Sequence, residues 1–229
     1  MKIGGLQKVS LIDYPGAICA IVFSQGCNFK CGYCHNPELV DPERFGKCID
    51  EKKIMEFLAT RRGKLDAVSI TGGEPTIQKD LHGFVKKIKK MGFAVKIDTN
   101  GSQPQVLKDL LKAKLLDFIA MDIKAPWEKY EKMARVPVDT RLIQESITLV
   151  LQSKIPHEFR TTAVESRLNA NDIIEISKII SGAQRYVLQK FIPTKALDKK
   201  FLKEKTLSDE ELEQLKKRIE KDIPYVIVR

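Results

Sequence analysis

Cys27, Cys31 and Cys34 fall within eight residues, in the segment 24–36 that directly follows a short apolar run. Thiolates are soft donors, and three of them on one tight loop can each bind one iron of a cubane [4Fe–4S] cluster. The fourth iron then lacks a protein thiolate and stays open to a ligand, as catalytic zinc sites keep one position free. The competing chemistry is structural zinc, with His35, Cys19 or Cys48 as a fourth ligand. Zinc ligands usually arrive as two pairs separated by a longer loop; no second pair exists here, so the spacing favours iron–sulfur ligation. Cys19 lies inside the apolar run and reads as a buried small hydrophobe, while Cys48 reads as unligated. His35 adjoins the cysteines but is equally compatible with a structural hydrogen bond. His82 and His157 have no partner pattern and read as structural.

The cysteine loop needs a scaffold, and the rest of the chain repeats one theme. Short apolar, β-rich runs at 17–24, 67–71, 94–98, 118–123, 158–164 and 186–192 alternate with helical patterns at 50–62, 80–91, 104–113, 140–154 and 170–181. The helical stretches carry apolar residues at three- and four-residue spacing, as in Leu142, Ile143, Ile147, Leu149 and Val150. Asn169 or Asn171 is placed to cap the last of them. Continuously apolar strands alternating with helices predict an α/β fold with a parallel sheet. Periodicity leaves two architectures open, a doubly wound sheet and a partial barrel. In both, the functional groups belong at the C-terminal ends of the strands, where the unusual residues fall.

The tail differs in character. Pro193 ends the last run, a basic connector follows at 199–205, and Ser208 opens a helix to about residue 221 with Asp209, Glu210 and Glu211 in its first turn. Residues 225–228 could add an edge strand. The expected division is a core domain, 1–195, and a C-terminal extension, 196–229, that elaborates it.

Composition narrows the setting. Among 229 residues, 40 Lys+Arg oppose 30 Asp+Glu, a formal net charge of +10. Five cysteines, an odd number, argue against a secreted disulfide framework. The first residues lack the apolar core of a signal peptide, and the longest apolar run, 17–23, is too short to cross a bilayer. A reducing cytoplasm, with no membrane partner, is the expectation. From 79 to 96 there are six lysines and one acid; cations near a helix C-terminus complement its dipole and solvate its outer face. No aromatic residues interleave with them as stacking platforms, so nucleic acid is not an expected partner.

Cys27-x3-Cys31-x2-Cys34, with Tyr33 immediately before the third cysteine, resembles the signature of the radical S-adenosylmethionine (SAM) superfamily. Thr71-Gly72-Gly73-Glu74-Pro75 after the second run, Asp98-Thr99-Asn100-Gly101 after the third and Met121-Asp122-Ile123-Lys124 at the fourth stand where that family has its motifs. The resemblance spans about residues 1–193, and the combination is far more specific than any single motif. It implies a partial (β/α)6 barrel with a [4Fe–4S] cluster and SAM in its C-terminal mouth, and a short C-terminal helical and strand extension beyond it. Residues 10–16 and Cys34-His35-Asn36-Pro37-Glu38 further resemble the activases of glycyl-radical enzymes, above all those of anaerobic ribonucleoside-triphosphate reductase.

The resemblance also assigns roles. SAM chelates the open iron and, on receiving one electron, yields a 5′-deoxyadenosyl radical; the cofactors carry the difficult step. Gly72 and Gly73, beside Glu74 and Pro75, would let the backbone approach the methionyl amino group. Asp98, Thr99, Asp122 and the Ile123 backbone would surround a monovalent cation, the alternative being that the two aspartates only cap strand ends. Lys124 and Arg160 would meet the SAM carboxylate or ribose, and Tyr33 the adenine. Gln189 and Arg160 stand on fifth and sixth runs that match the family pattern only loosely. The implied partners are a glycyl-radical enzyme, which would lose a hydrogen from one glycine Cα, and a flavodoxin- or ferredoxin-type electron donor. Two other readings stand beside this one: a small-molecule radical SAM enzyme resembling 7-carboxy-7-deazaguanine synthase, and a non-enzymatic zinc- or RNA-binding module.

Overall fold

The computed structural model describes residues 1–229. In chain order its regular elements are β1 (Ile3–Ser10), β2 (Cys19–Ser24), α1 (Pro37–Val40), α2 (Glu51–Ala59), β3 (Ala67–Gly72), α3 (Leu81–Lys90), β4 (Ala94–Thr99), α4 (Pro104–Lys112), β5 (Phe118–Asp122), α5 (Tyr130–Ala134), α6 (Thr140–Gln152), β6 (His157–Ala163), α7 (Ala170–Ile179), β7 (Tyr186–Lys190), α8 (Asp209–Ile219) and β8 (Val226–Val228). The eight strands form one sheet in the order β1 to β8. β1 pairs antiparallel with β2, and every later neighbour is parallel. A doubly wound sheet reverses its strand order at a switch point. This sheet never reverses, so the open choice resolves to a partial barrel that β1 and β8 leave unclosed.

The helices form where apolar stripe and cap agree. In α3 the buried Leu81, Phe84, Val85 and Ile88 make one face, and Lys87, Lys89 and Lys90 sit in the last turn. Lys87 pairs with Glu51 and Lys89 with Asp117, each at 2.7 Å, which matches the expected solvated basic face. Lys96 departs from that expectation: it is 2% exposed and turned inward. Asn169, not Asn171, caps α7 in a reciprocal box with Asp172, and Ser208 does the same for α8 with Glu211. The five expected core helices run one to four residues too long in total, at their frayed ends.

β1 went unforeseen. Its IGGLQKVS run is buried only at its two ends and half-buried or exposed between them, as an edge strand can be, and lacks a clean apolar alternation. The extension joins the same sheet: β8 pairs in parallel with β7, while Leu212, Leu215 and Ile219 bury one face of α8. No helix is long and apolar enough to cross a membrane.

Alternation along each strand separates two environments. Val68, Ile70, Val95, Ile97, Ile119 and Met121 join the main core with helix residues such as Phe84, Leu107 and Ile147. On the opposite face, at the N-terminal end of the strands, Cys19, Ile21 and Ala67 form a small apolar plug with Tyr14 against it. The Tyr14 ring lies 5.7 Å from that of Phe118. Above the plug the inward positions turn polar. The registers Asp122↔Arg160 and Thr162↔Gln189 place neighbouring strands' functional side chains level with one another.

Candidate active site

The cysteine loop leaves β2 at Ser24 and crosses the C-terminal ends of the strands. Its backbone is fixed independently of the thiols: Gly26 N–H donates to the Leu39 carbonyl (2.7 Å), Lys30 N–H to Ala134 (2.9 Å) and Cys34 N–H to Cys31 (3.0 Å). Two backbone donors point at sulfur, Phe29 N–H at Cys27 Sγ (3.3 Å) and Asn36 N–H at Cys34 Sγ (3.4 Å). All three cysteines line one cavity of about 230 Å³. Burial pushes the Cys27 thiol up to about 12. It raises Cys31 and Cys34 as well, against the opposing positive charge of Lys124. A metal centre here must therefore displace thiol protons, as thiolate ligation requires. Three soft donors with N–H groups aimed at sulfur fit a [4Fe–4S] cluster with one open iron.

The candidate fourth zinc ligands are placed elsewhere or engaged. Cys19 is buried in the plug, and Cys48 is exposed with its thiol donating to Gln25 Oε1 at 3.2 Å. His35 lines the cavity, but its Nε2 lies 2.9 Å from the Ile192 carbonyl and its ring 5.3 Å from Phe191. The hydrogen-bond reading of His35 is the one the geometry supports.

The glycine pair lines the cavity and also meets a steric demand within the chain. Gly72 has φ +112°, and a Cβ there would lie 2.5 Å from Ser24 N. A Cβ on Gly73 would lie 2.0 Å from the Gly26 carbonyl oxygen and 3.1 Å from that of Leu39. Both glycines let β3 close against the root of the cysteine loop, where backbone meets backbone. Gly73→Ala is therefore expected to destabilise the fold by about 3 kcal/mol, the upper end for overpacking because no side chain can rotate away. A lowered thermal midpoint together with poor iron retention would show it; a midpoint equal to that of the parent protein would refute it.

Glu74 is 1% exposed and its carboxylate is fully engaged. Thr76 Oγ1 and N–H, Thr99 Oγ1 (2.7 Å) and Asn100 N–H (2.6 Å) all donate to it. Burial nevertheless leaves its carboxyl raised. Glu74 lines the cavity wall, and its bonds tie the loop after β3 to the end of β4. Pro75 heads a short 3-10 turn, is buried, and does not line the cavity.

Asp98, Asp122, Lys124 and Arg160 converge as expected, with Lys96 added. Arg160 bridges both aspartates, Nε to Asp122 Oδ1 at 2.7 Å and Nη1 to Asp98 Oδ2 at 3.1 Å. Lys124 Nζ donates to Asp122 Oδ2 at 3.0 Å, and Lys96 to Asp98 Oδ1. Burial alone would raise both carboxyls, but Arg160 and then Lys96 hold Asp98 low, and Arg160 and then Lys124 hold Asp122 well below the carboxylate range. Burial would lower Lys124, and Asp122 instead raises it well above the usual lysine value. Lys96, Lys124 and Arg160 thus face Asp98 and Asp122, while Glu158, 4.0 Å from Arg160, is also covered by Arg185 and Arg229. Positive charge exceeds negative, which suits an anionic group in the cavity. For the expected monovalent cation, every carboxylate oxygen is already taken. Thr99 Oγ1 donates to Glu74 and accepts from Gly101 N–H, and the Ile123 N–H and carbonyl bond Arg160 and Thr161. A cation would have to displace lysine or arginine contacts to enter.

Tyr33 is buried, lines the cavity and packs its ring 6.2 Å from Phe201. Gln189 and Thr162 line the opposite wall. Sequence reasoning missed Thr162 and the polar tether Asn28–Asn100–Ser102. Asn100 Nδ2 donates to Asn28 Oδ1 at 2.9 Å, and Asn28 Nδ2 to Ser102 Oγ at 2.8 Å. The Asn-Gly turn after Thr99 was the available signal. It also missed Glu158, 1% exposed, whose Oε1 accepts from Arg229 of the extension at 3.0 Å beneath the site.

With this geometry in place, the comparisons with known proteins are specific. The Radical SAM superfamily model matches residues 21–177. A Methanocaldococcus jannaschii protein named "Putative glycyl-radical enzyme activating enzyme" is 35% identical over 233 residues, 99% of this chain and 95% of that one. The pyruvate formate-lyase-activating enzyme of Clostridium pasteurianum is 31% identical over 128 residues, 54% of this chain and 52% of its own. The 7-carboxy-7-deazaguanine synthase of Thermococcus kodakarensis is 29% identical over 118 residues, 43% and 46% of the two chains. Among solved structures, Streptococcus suis SuiB bound to its precursor peptide SuiA superposes with TM-score 0.70 at 16% identity. The match covers 90% of this chain and 47% of SuiB, so this chain spans about half of that longer protein and shares its fold.

Proposed function

The chain belongs to the radical SAM superfamily, and from that premise we propose that it is an activase that generates a glycyl radical on a partner enzyme. The observation that carries the reading is the cavity in which Cys27, Cys31 and Cys34 face the cations Lys124 and Arg160, with Lys96 behind the lining Asp98. The near full-length similarity to the Methanocaldococcus protein supports the activase class. The two cysteines outside the loop, Cys19 and Cys48, are too few for a second cluster.

A [4Fe–4S] cluster and SAM, when bound, supply a 5′-deoxyadenosyl radical through one-electron reductive cleavage of the sulfonium. The chain's own residues do the rest. The three cysteines hold the iron and leave one position open. The Gly72–Gly73 contact fixes the cysteine loop against β3. Lys124 and Arg160, each already held in orientation by Asp122, would receive the SAM carboxylate. Tyr33, Thr162 and Gln189 form walls for the nucleoside. The segment 191–208 stays off the cavity wall, which leaves the mouth free for a glycine-bearing loop. Anaerobic ribonucleoside-triphosphate reductase is the partner assigned to that glycine, from the likeness of residues 10–16 and 34–38 to its activases.

The test mixes anaerobically reconstituted protein, SAM and a chemical reductant with that reductase. A glycine-centred doublet in the electron paramagnetic resonance spectrum, with 5′-deoxyadenosine formed, is expected. SAM cleavage without the doublet would remove the activase reading for this partner. The similarity to the deazaguanine synthase motivates the second reading, a small-molecule radical SAM enzyme. Turnover of a pterin substrate with no protein partner would establish it.

A further inference from the structure

The activase reading requires an electron to reach the cysteine loop, and the chain covers one side of that loop in a particular way. The segment between β7 and α8 packs on the turn Cys31–Cys34. Asp198 donates its backbone N–H to the Gly32 carbonyl at 2.9 Å. Phe201 is buried, and a Cβ on Gly32 would lie 2.4 Å from its ring. The guanidinium groups of Arg135 and Arg167 stand 5.4 and 5.0 Å from the Phe201 ring centroid, a cation–π clamp that holds it there. None of residues 191–208 lines the cavity, so this segment is the wall between the cysteine turn and solvent on the side away from the cavity.

The outer surface of that wall is basic. Lys199, Lys200 and Lys203 are exposed and make no ion pair, and so is Lys30 on the cysteine loop itself. Neighbouring charges are satisfied: Arg135 pairs with Asp198 at 2.7 Å and Lys195 with Glu38 at 2.6 Å. Leu202, in the same short turn as Lys199, Lys200 and Lys203, is 40% exposed. A solvated lysine face needs no fixed relation to the site, whereas this one is locked to the backbone of the turn that carries two of the three thiols.

Resting on the radical SAM reading, we propose that this basic patch docks an acidic one-electron carrier protein of the flavodoxin or ferredoxin type. The carrier gives up one electron across the Gly32–Phe201 contact and is oxidised by one equivalent; the cluster on Cys27, Cys31 and Cys34 is reduced by one. No bond forms and no proton moves in that step. The glycine-bearing partner does not fit this surface, because its glycine must enter the cavity that the segment avoids. The two partners thus have separate faces, and the electron can arrive while SAM occupies its site.

The experiment compares the parent protein with a Lys199→Glu, Lys200→Glu, Lys203→Glu variant and with the corresponding Gln variant, all reconstituted. Association is measured by calorimetry with oxidised flavodoxin, and cluster reduction by stopped-flow absorbance with flavodoxin hydroquinone. The expected result is association and reduction slowed or weakened about tenfold or more in the Glu variant, less in the Gln variant, with a flattened salt dependence. Cluster reduction by a photoexcited deazaflavin stays unchanged. Parent-like flavodoxin binding and reduction in the Glu variant would overturn the proposal. Equal loss with both reductants would also overturn it, because the lysines would then be acting on the cluster loop itself. Glycyl-radical formation with the chemical reductant is scored separately, so failure of the activase reading is distinguishable from failure of this surface.

Discussion

Alanine in place of Cys27, Cys31 or Cys34, one at a time, is expected to give folded protein that retains little iron and sulfide. SAM cleavage should fall by on the order of 100-fold or more, since losing a ligand exceeds the 10–100-fold typical of losing an outer-shell partner. The fold should survive because the loop backbone is held by Gly26, Lys30 and Asp198 contacts to Leu39, Ala134 and Gly32, none of which involves a thiol. The internal controls are the other two cysteines. Cys48→Ala removes an exposed thiol that bonds only Gln25, and both iron content and activity should be those of the parent. Cys19→Ala thins the apolar plug beneath the site and should lower stability without lowering iron per folded molecule. Iron and sulfide analysis after anaerobic reconstitution, with circular dichroism, checks all five. Loss of iron in Cys48→Ala, or full iron in Cys31→Ala, would contradict this division of the five cysteines.

That division was legible in the sequence because it depends on local spacing, and so were six of the parallel strands, because a strand buried on both faces is apolar along its whole length. The order in which those strands pair was not legible. It depends on which neighbour each strand meets, and only the unreversed β1–β8 order separates a partial barrel from a doubly wound sheet. β1 escaped notice because its sequence, buried only at Ile3 and Ser10, shows no apolar alternation.

At the site, residue types were easier to read than their work. The Gly72–Gly73 pair was found through its motif, but its steric demand comes from Ser24 and Gly26, close neighbours only after β2 and β3 pair. Glu74 was found through the same motif, but the threonines and Asn100 that bond it come together only where two strand ends meet. Lys96 looked like one more solvated lysine in a basic stretch. Its inward position follows from sharing a face with Asp98, two residues along the same strand, a relation the alternation rule does contain once β4 is recognised. Arg229 could not be tied to Glu158 from sequence at all, since 71 residues separate them and the sheet edge brings them together.

Replacing Arg160 by methionine should produce the largest effect of any single change in the floor of the cavity. Its guanidinium bridges Asp98 and Asp122 bidentately, a geometry that lysine cannot reproduce from one ammonium. Methionine keeps much of the volume and leaves two carboxylates with one lysine each. Removing one member of a buried ion pair costs about 3–5 kcal/mol, and the lower end, about 3, applies because Asp122 keeps some solvent and both lysines remain. The pH dependence fixes the cause. In the parent protein both carboxyls are held below their unfolded values, so their contribution to stability is complete above the ordinary carboxylate range and is lost as pH falls toward the lowered folded values. Without Arg160, burial becomes less opposed and the two folded values rise, so less of that contribution exists at neutral pH and less can be lost on acidification. The stability gap between parent and Arg160→Met, measured by urea unfolding, should therefore be widest near pH 7 and narrow below about pH 4, where carboxylates begin to protonate in the unfolded chain. A gap that stayed constant with pH would mean that Arg160 contributes packing alone. In the holoenzyme the same substitution should raise the KM for SAM more than it lowers kcat, because Arg160 is assigned to the bound carboxylate and not to the sulfonium that is cleaved. Arg160→Lys should recover part of the stability and little of the KM, since a point charge restores neutralisation without the bridge.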